Sequence, residues 1–136
     1  MLLLARSKLE RARHRNCVVR KGDMNNLPLG DRSFDAVTIH QVLHYAERPS
    51  KAIAEAARVL RPGGRLFIVD FQAHDLDVLR SEHEHRWLGF EEQKMRDWLA
   101  AAGLKPEDCL HLKGDPLTIC IWTARQPLAR SRSRAA

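Results

Sequence analysis

The stretch RVLRPGGRLFIVDF, Arg58 to Phe71, has the pattern of a helix end, a Pro-Gly-Gly turn and a buried strand. Pro49 suits the start of that helix, because proline has no amide hydrogen to leave unpaired in the first turn. A core-facing stripe at helical spacing follows, consisting of Ile53, Ala56, Ala57 and Leu60. The nearly uninterrupted apolar run from Leu66 to Phe71 predicts a strand covered on both faces, which is typical of a parallel, helix-flanked sheet.

Two further segments extend this pattern on either side. FDAVTI, residues 34–39, is rich in residues that suit a strand, so that strand, helix and strand form one crossover unit. A second core helix begins near Glu91 and Glu92, which favour a helix N-terminus, and ends at Gly103. Its apolar stripe consists of Met95, Trp98, Leu99 and Ala102. The order of these elements predicts an α/β fold.

The C-terminal third predicts an antiparallel hairpin and then a tail. Residues 108–112 and 116–123 flank a Lys-Gly-Asp turn and have the composition of paired strands. The final segment, RQPLARSRSRAA, has little to bury, so residues 125–136 are predicted to be a disordered basic tail behind a single domain of residues 1–124. The polar, His-rich residues 72–90 have no clean period and are interpreted as a helical connection.

The N-terminal third predicts a helix and a short strand. Leu2, Ala5, Leu9 and Ala12 form the stripe of an amphipathic helix whose opposite face is basic, and Asn16 can end that helix. Residues 17–19, Cys-Val-Val, predict a short buried strand. LPLGD, residues 27–31, has the composition of a turn.

Composition and charge limit the class of protein. A chain of 136 residues is long enough for one domain, and its apolar runs fall far below the ~18 residues of a membrane span. The net charge of +6 is carried at the two ends, with seven Lys or Arg against one Glu in residues 1–21. MLLLARSKLERARHR has its apolar residues before its charges, the reverse of a secretory signal. We therefore expect a cytoplasmic protein with no membrane segment.

The sequence predicts no metal site. Cys17, Cys109 and Cys120 form no C-x-x-C pair and are expected to be reduced and buried. His and Glu alternate between residues 82 and 85, but this spacing differs from the H-E-x-x-H pattern of a zinc-binding helix. Adding His74 does not produce that spacing either, so these histidines are interpreted as part of a solvated surface.

Three segments together carry a family resemblance. GDMNNLPLGDRSFDAVTIHQVLHY (residues 22–45), RVLRPGGRLFIVDF (58–71) and WLGFEEQKMRDWLAAAGL (87–104) resemble the class I S-adenosylmethionine-dependent methyltransferases of the type 11 group. They resemble in particular those that bacteria fuse behind an ArsR-like winged-helix regulator. The resemblance implies a Rossmann-like sheet with flanking helices. It also implies methyl transfer from S-adenosylmethionine to an acceptor, expected to be a small molecule.

The resemblance also implies where the cofactor binds. Ligands of an open doubly wound sheet bind beyond the carboxyl ends of the strands. There, Asp23 and Met24 are similar to the family's adenine clamp, and His40 and Gln41 stand beside the sulfonium and amino acid portion. Two alternatives stay open: Asp23 serves only a local Gly-Asp turn, and His40 is only a buried, hydrogen-bonded histidine.

The substrate side has two candidates for a general base. His44 and Tyr45 follow on the turn that faces the acceptor, and a base is needed only if the acceptor arrives protonated. Asp35 and Asp70 are expected to cap or terminate strands rather than to take part in chemistry.

The family's most diagnostic element has no counterpart in this sequence. No two of the seven glycines form a G-x-G loop, and the acidic residue that binds the ribose hydroxyls has no match. The resemblance thus implies a fold lacking the family's first strand, first helix and second strand. Such a sheet has unpaired strand edges, for which we expect self-association.

Two further hypotheses stand beside the enzyme. One is a non-catalytic remnant or regulator-associated fragment that does not bind cofactor alone. The other is nucleic-acid binding by the Arg-rich ends, at most nonspecific, because aromatic residues are not interleaved with the basic ones.

Overall fold

The computed structural model describes residues 1–13 and 15–129. Along the chain the elements are α1 (Leu2–Arg11), β1 (Phe34–His40), a 3-10 turn (Leu43–Tyr45), α2 (Pro49–Val59), β2 (Leu60–Phe71), α3 (Val78–His83), α4 (Glu92–Ala101), β3 (Lys105–Pro106), β4 (Leu110–Leu112) and β5 (Ile119–Arg125). Within the described ranges, no helix is long and apolar enough to cross a membrane.

One mixed sheet organises the domain, in the order β1-β2-β5-β3, with β4 also paired to β5. β1 and β2 are parallel and are joined through α2, as the crossover pattern predicts. β5 runs antiparallel to β2, and β4 and β5 form the predicted antiparallel pair. The α/β prediction is therefore confirmed. The two-residue strand β3 was not predicted from the sequence.

The core lies between one face of the sheet and the helices α2 and α4. Its fully buried side chains include Leu66 and Ile68 of β2, Ile53 of α2 and Leu99 of α4. The other face of β2 is only half-buried, and no residue of α1 is buried. The expectation that β2 is covered on both faces is therefore met on one face only, where α2 and α4 pack.

The N-terminal helix is confirmed, but the strand predicted at residues 17–19 is wrong. That segment is irregular, and Val18 is 80% exposed. Among the described residues, β1 pairs only with β2, so the Cys-Val-Val segment has no neighbouring strand to complete a ladder. The apolar stripe of α1 is likewise not buried. Composition alone cannot make a strand without a partner.

The Pro-Gly-Gly turn is placed differently from the prediction. α2 already ends at Val59, and Pro62-Gly63-Gly64 lies inside β2. The pairing register shifts there, because Phe34 faces Leu60 whereas the next matched pair of β1 and β2 begins five residues later on β2. Gly63 has a φ of +79°, which a residue with a side chain adopts only at a cost. The segment is therefore a bulge in the strand rather than a stop between elements.

The ordered contacts continue just beyond the predicted domain end. Arg125 is still part of β5, where it pairs with Arg65. The N–H of Gln126 donates to the Gly64 carbonyl, and the N–H of Gly63 donates to the Gln126 carbonyl, both at 2.8 Å. The predicted boundary at residue 125 is thus early, because the β2 bulge offers these partners. Residues 130–136 of the predicted tail lie outside the described part of the chain.

The three cysteines differ in environment. All are free; Cys17 is exposed, Cys109 is half-buried and Cys120 is buried. The expectation that all three are buried is correct only for Cys120. Burial raises the pKa of the Cys109 thiol and raises that of Cys120 to about 12, so both are protonated at neutral pH.

Candidate functional site

The carboxyl ends of β1 and β2 lie side by side because the strands are parallel, with His40 opposite Val69. The chain turns at Gln41, whose φ is +50° and whose N–H donates to the Val69 carbonyl at 2.7 Å. The 3-10 turn Leu43–Tyr45 follows directly. This edge therefore collects the predicted segments around His40 and His44, as the strand topology requires.

A cavity of about 400 Å³ lies beside β1 at this edge. Met24 and His40 both line it, so the structure brings together two residues that are sixteen positions apart. The remaining walls are almost entirely apolar: Leu27, Leu29, Val37, Thr38, Ile39, Val42, Ala52 and Ala56. His40 is exposed, so the alternative of a buried histidine is wrong. Asp23 and Gln41 adjoin this cavity in sequence but do not line it.

The adenine loop, by which we mean residues 23–29, offers acceptor oxygens. Asp23 Oδ1 accepts the N–H of Asn25 at 2.8 Å, which is the local turn considered as the alternative. Asp23 is exposed, and among the described residues its second oxygen forms no hydrogen bond. Asn25 Oδ1 is buried without a partner. Asp23 and Asn25 flank Met24, which lines the apolar cavity, and their acceptor oxygens suit a flat aromatic group that carries N–H donors, as adenine does.

An ion pair on α2 holds the same loop in place. The N–H of Leu27 donates to Glu55 at 2.8 Å, and Arg58 donates to the carbonyls of Leu29 and Leu27 at 2.9 and 3.1 Å. Glu55 and Arg58 bond each other at 2.9 Å, and Arg58 also bonds Asp31 at 2.6 Å. The Arg58 guanidinium and the Leu27 amide hold the pKa of Glu55 below its usual value. This contact could not be predicted from the sequence, because it joins a loop to a helix about 28 residues away.

Glu55→Gln is expected to remove a pH-dependent part of the stability. A carboxyl whose pKa is lower when folded stabilises fully above its usual value of 4.5, and this contribution is lost as pH falls through the folded value. Urea unfolding of the wild type between pH 3 and pH 6 should therefore show a steeper loss than the variant.

The matched control is Glu47→Gln, which neutralises an exposed carboxyl of the same type. This control should retain the wild-type pH dependence. Identical slopes for the wild type and Glu55→Gln would contradict the assignment of the pH dependence to Glu55.

The most deeply buried polar group of this edge is a His-Asp pair. His44 Nδ1 lies 2.7 Å from Asp70 Oδ1, and the two side chains are 3% and 0% exposed. The Asp70 carboxylate also accepts the N–H of His44 at 3.2 Å and that of Phe71 at 2.8 Å. Asp70 therefore accepts backbone N–H groups at the end of β2, as expected of a residue that caps a strand, and its side chain also reaches inward to the His44 ring. A carboxylate only accepts, so Nδ1 carries a proton, and in the neutral imidazole the lone pair is then on Nε2.

Aromatic rings enclose this pair. The His44 ring centroid lies 4.1 Å from those of Tyr45 and His85 and 5.3 Å from that of Phe71. His85 is buried with Nδ1 unpartnered, and burial, together with the neighbouring His44, lowers its pKa so that the ring is neutral at pH 7. Tyr45 is 44% exposed and forms the outer side of the cluster. The sequence interpretation of His85 as a solvated residue is therefore wrong.

The connection between β2 and α4 covers the His44–Asp70 pair. The carbonyl of His44 accepts the N–H groups of Arg86 and Trp87, both at 3.0 Å. The indole N–H of Trp87 donates to the Ala46 carbonyl at 2.9 Å. Residues 85–87 are thus fixed to the 3-10 turn, which explains why His85 lies against His44.

A positioned imidazole beside a cavity suits reactions in which a bound molecule loses a proton. Nε2 of His44 can accept that proton, and Asp70 stabilises the resulting imidazolium. Transfer of a group between two bound molecules otherwise depends on holding them close and aligned. The edge therefore combines a ring-sized apolar site with a proton acceptor two residues beyond the cavity wall at Val42.

Comparison with known families identifies the fold. Residues 1–68, half of the chain, match the model of the methyltransferase domain family, Methyltransf_11. A demethylmenaquinone methyltransferase of Renibacterium salmoninarum is 50% identical over 50 residues, which cover 37% of this chain and 21% of that protein. In eight such relatives the matched segment spans between 19% and 31% of the protein's own length.

Two solved structures extend the likeness to nearly the whole chain. The 1,6-didemethyltoxoflavin-N1-methyltransferase of Burkholderia thailandensis, solved with 1,6-didemethyltoxoflavin and S-adenosylhomocysteine, matches with a TM-score of 0.71 and 22% identity, covering 89% of this chain and 56% of that one. The [4+2]-cyclase SpnF matches with a TM-score of 0.79 and 20% identity, covering 94% and 63%. At these identities the likeness shows the fold alone. The family match and the shared fold together establish that this chain belongs to the methyltransferase domain family, with the class I S-adenosylmethionine-dependent methyltransferase fold.

Proposed function

We propose that this chain binds S-adenosylmethionine and methylates a small molecule that gives up a proton during the reaction. The observation that carries the proposal is the placement of the cavity and the His44–Asp70 pair on one edge of the sheet. S-adenosylmethionine, when bound, supplies an electrophilic methyl group. The remaining work, which is binding, alignment and proton removal, falls to the side chains of this edge.

In this proposal the adenine loop and the end of β1 hold the cofactor. Asp23 accepts the adenine amino group through its free oxygen, and Met24 packs against the ring from the cavity wall. His40 and Gln41, at the end of β1, are proposed to contact the amino acid portion. The chemistry of the acceptors supports this assignment, since the Asp23 carboxylate and the Asn25 side-chain oxygen can each accept a hydrogen bond from adenine.

His44 is the proposed general base, and Tyr45 borders the acceptor. Because His44 is only 2% exposed, an acceptor reaches Nε2 only when Tyr45 or the His85 segment moves aside. The acceptor is proposed to be a small ring compound, since aromatic and imidazole rings surround the base. Two matched proteins, a demethylmenaquinone methyltransferase and a 1,6-didemethyltoxoflavin-N1-methyltransferase, support the choice of a ring compound.

One observation favours the alternative, a fragment that binds no cofactor alone. No two glycines form the G-x-G loop that lets backbone approach the cofactor's methionine part. In addition, β1 pairs only with β2 among the described residues, and its open edge also supports the proposal of self-association.

Calorimetric titration of S-adenosylmethionine into the purified chain separates the two proposals. We expect binding in the micromolar range, and about tenfold weaker binding by Asp23→Ala, because one charged hydrogen bond is worth about 1.5 kcal/mol. The control Asp97→Ala removes an exposed carboxylate on α4 and should bind as the wild type does. If circular dichroism shows a folded chain but the titration gives no measurable heat, the proposal of a cofactor-binding enzyme is contradicted. The alternative, a fragment that binds no cofactor alone, is then supported.

A further inference from the structure

The hairpin at the far side of the sheet assembles three residues that the sequence leaves scattered. His111 of β4 is paired with Cys120 of β5. Cys109 precedes β4 by one residue and therefore shares a face with His111, since alternate residues of a strand point the same way. The Cys109 sulfur lies 4.0 Å from His111 Nε2. All three ligand atoms, two Sγ and one imidazole nitrogen, lie within 4.8 Å of one another.

A carboxylate lies beside this group and is the candidate for a fourth ligand. Glu92, the first residue of α4, places Oε2 4.0 Å from His111 Nε2. The cluster has a buried end at Cys120 and an exposed end at His111, so an ion can enter from solvent without passing through the core. Two sulfurs, one nitrogen and one oxygen make a four-ligand set of the kind that zinc prefers.

We propose that Cys109, His111, Cys120 and Glu92 form a binding site for a thiophilic divalent cation such as Zn²⁺. In a tetrahedral zinc site, with Zn–S near 2.3 Å and Zn–N near 2.0 Å, sulfur and nitrogen stand about 3.6 Å apart. The ligand atoms of Cys109, His111 and Cys120 lie within 4.8 Å of one another and reach that distance with side-chain shifts of about 1 Å. Glu92 is tied to this group by its 4.0 Å distance to His111. The expectation of no metal site is thereby replaced by a specific proposal.

The site is separate from the proposed methyl-transfer edge. None of its four residues lines the cavity beside β1. A bound ion would cross-link the β4–β5 hairpin to the start of α4, joining two elements that lie about 20 residues apart in the chain. Binding therefore stabilises this part of the domain, and the metal-site proposal does not depend on the cofactor proposal.

The test is titration of the reduced, full chain with Co²⁺, followed by displacement with Zn²⁺. Cobalt bound to thiolates gives a ligand-to-metal charge-transfer band, so the spectrum reports sulfur ligation directly. We expect one ion per chain for the wild type. Cys109→Ser and His111→Ala should each weaken the affinity at least tenfold, and Glu92→Gln should weaken it less.

Cys17→Ser is the matched control, because it removes the one exposed cysteine and leaves the cluster unchanged. It should retain the wild-type band and affinity. Loss of the band in Cys17→Ser would overturn the proposal, as would unchanged affinity in both Cys109→Ser and His111→Ala. His111 and Glu92 are exposed, so their variants should fold as the wild type does, and a wild type without a charge-transfer band would equally overturn the site.

Discussion

Asp70→Ala is expected to lower the free energy of unfolding by about 3 kcal/mol, one of the two largest effects that we expect from a single substitution. The carboxylate accepts hydrogen bonds from the His44 ring and from the backbone N–H groups of His44 and Phe71. Alanine would leave the two buried His44 donors and the half-buried Phe71 N–H without this acceptor. Urea unfolding followed by tryptophan fluorescence measures the loss, because Trp87, Trp98 and Trp122 lie in or against the core.

Two substitutions bracket this prediction. Asp70→Asn keeps one acceptor oxygen and should cost roughly half as much. Asp35→Ala removes an exposed carboxylate that pairs with the exposed Arg61 and should change the stability by less than ~0.5 kcal/mol. A loss below ~0.5 kcal/mol for Asp70→Ala would show that the buried pair does not form in solution.

Burial of the His44–Asp70 pair has a cost in desolvation free energy, and this cost bears on the role of the pair. Taking a carboxylate out of water costs several kcal/mol before its partners offset that cost, so an apolar pair of similar volume would fill the space as well. Stability alone therefore does not account for a carboxylate and an imidazole at this position. Orientation of His44, with Nδ1 protonated and Nε2 free, is the property that an apolar pair would lack.

The predictable part of the fold is the part with strong periodicity. The β1–α2–β2 crossover, the α4 helix and the closing hairpin were all predicted, because each buries a regular stripe or run against a neighbour. The prediction of a strand at residues 17–19 failed for the converse reason, since its apolar residues have no neighbouring strand in the part of the chain that the structure describes. Pro62-Gly63-Gly64 was misplaced because a bulge and a helix-ending turn use the same residues.

The candidate site was predictable only where topology sufficed. The shared edge of His40 and His44 followed from the strand order. The link between His44 and Asp70 did not, because it depends on an inward side chain 26 residues further along the chain. The cluster of Cys109, His111 and Cys120 could nearly be predicted. The predicted hairpin placed Cys109 and Cys120 on facing strands, but the sequence does not determine the pairing register that brings them together.

Gly89→Ala is expected to lower the free energy of unfolding by about 3 kcal/mol, through two additive causes. Gly89 has a φ of +72°, which costs a residue with a Cβ about 1 kcal/mol. A Cβ there would also overlap the carbonyl of Gln72 and approach the Ala73 nitrogen to 2.9 Å. This backbone cannot yield freely, because Ala73 N–H donates to Phe90 at 3.1 Å and Phe90 N–H donates to Phe71 at 2.9 Å.

Gly103→Ala separates the two causes. Gly103 has a similar φ of +82°, but a Cβ there would meet nothing within 4 Å. It should therefore cost only the conformational part, about 1 kcal/mol, and the difference between the two variants measures the overlap with Gln72. Equal losses in urea unfolding would mean that the segment carrying His85 is not held against the end of β2. The cover over His44 would then be loose, and an acceptor could reach Nε2 without displacing a packed segment.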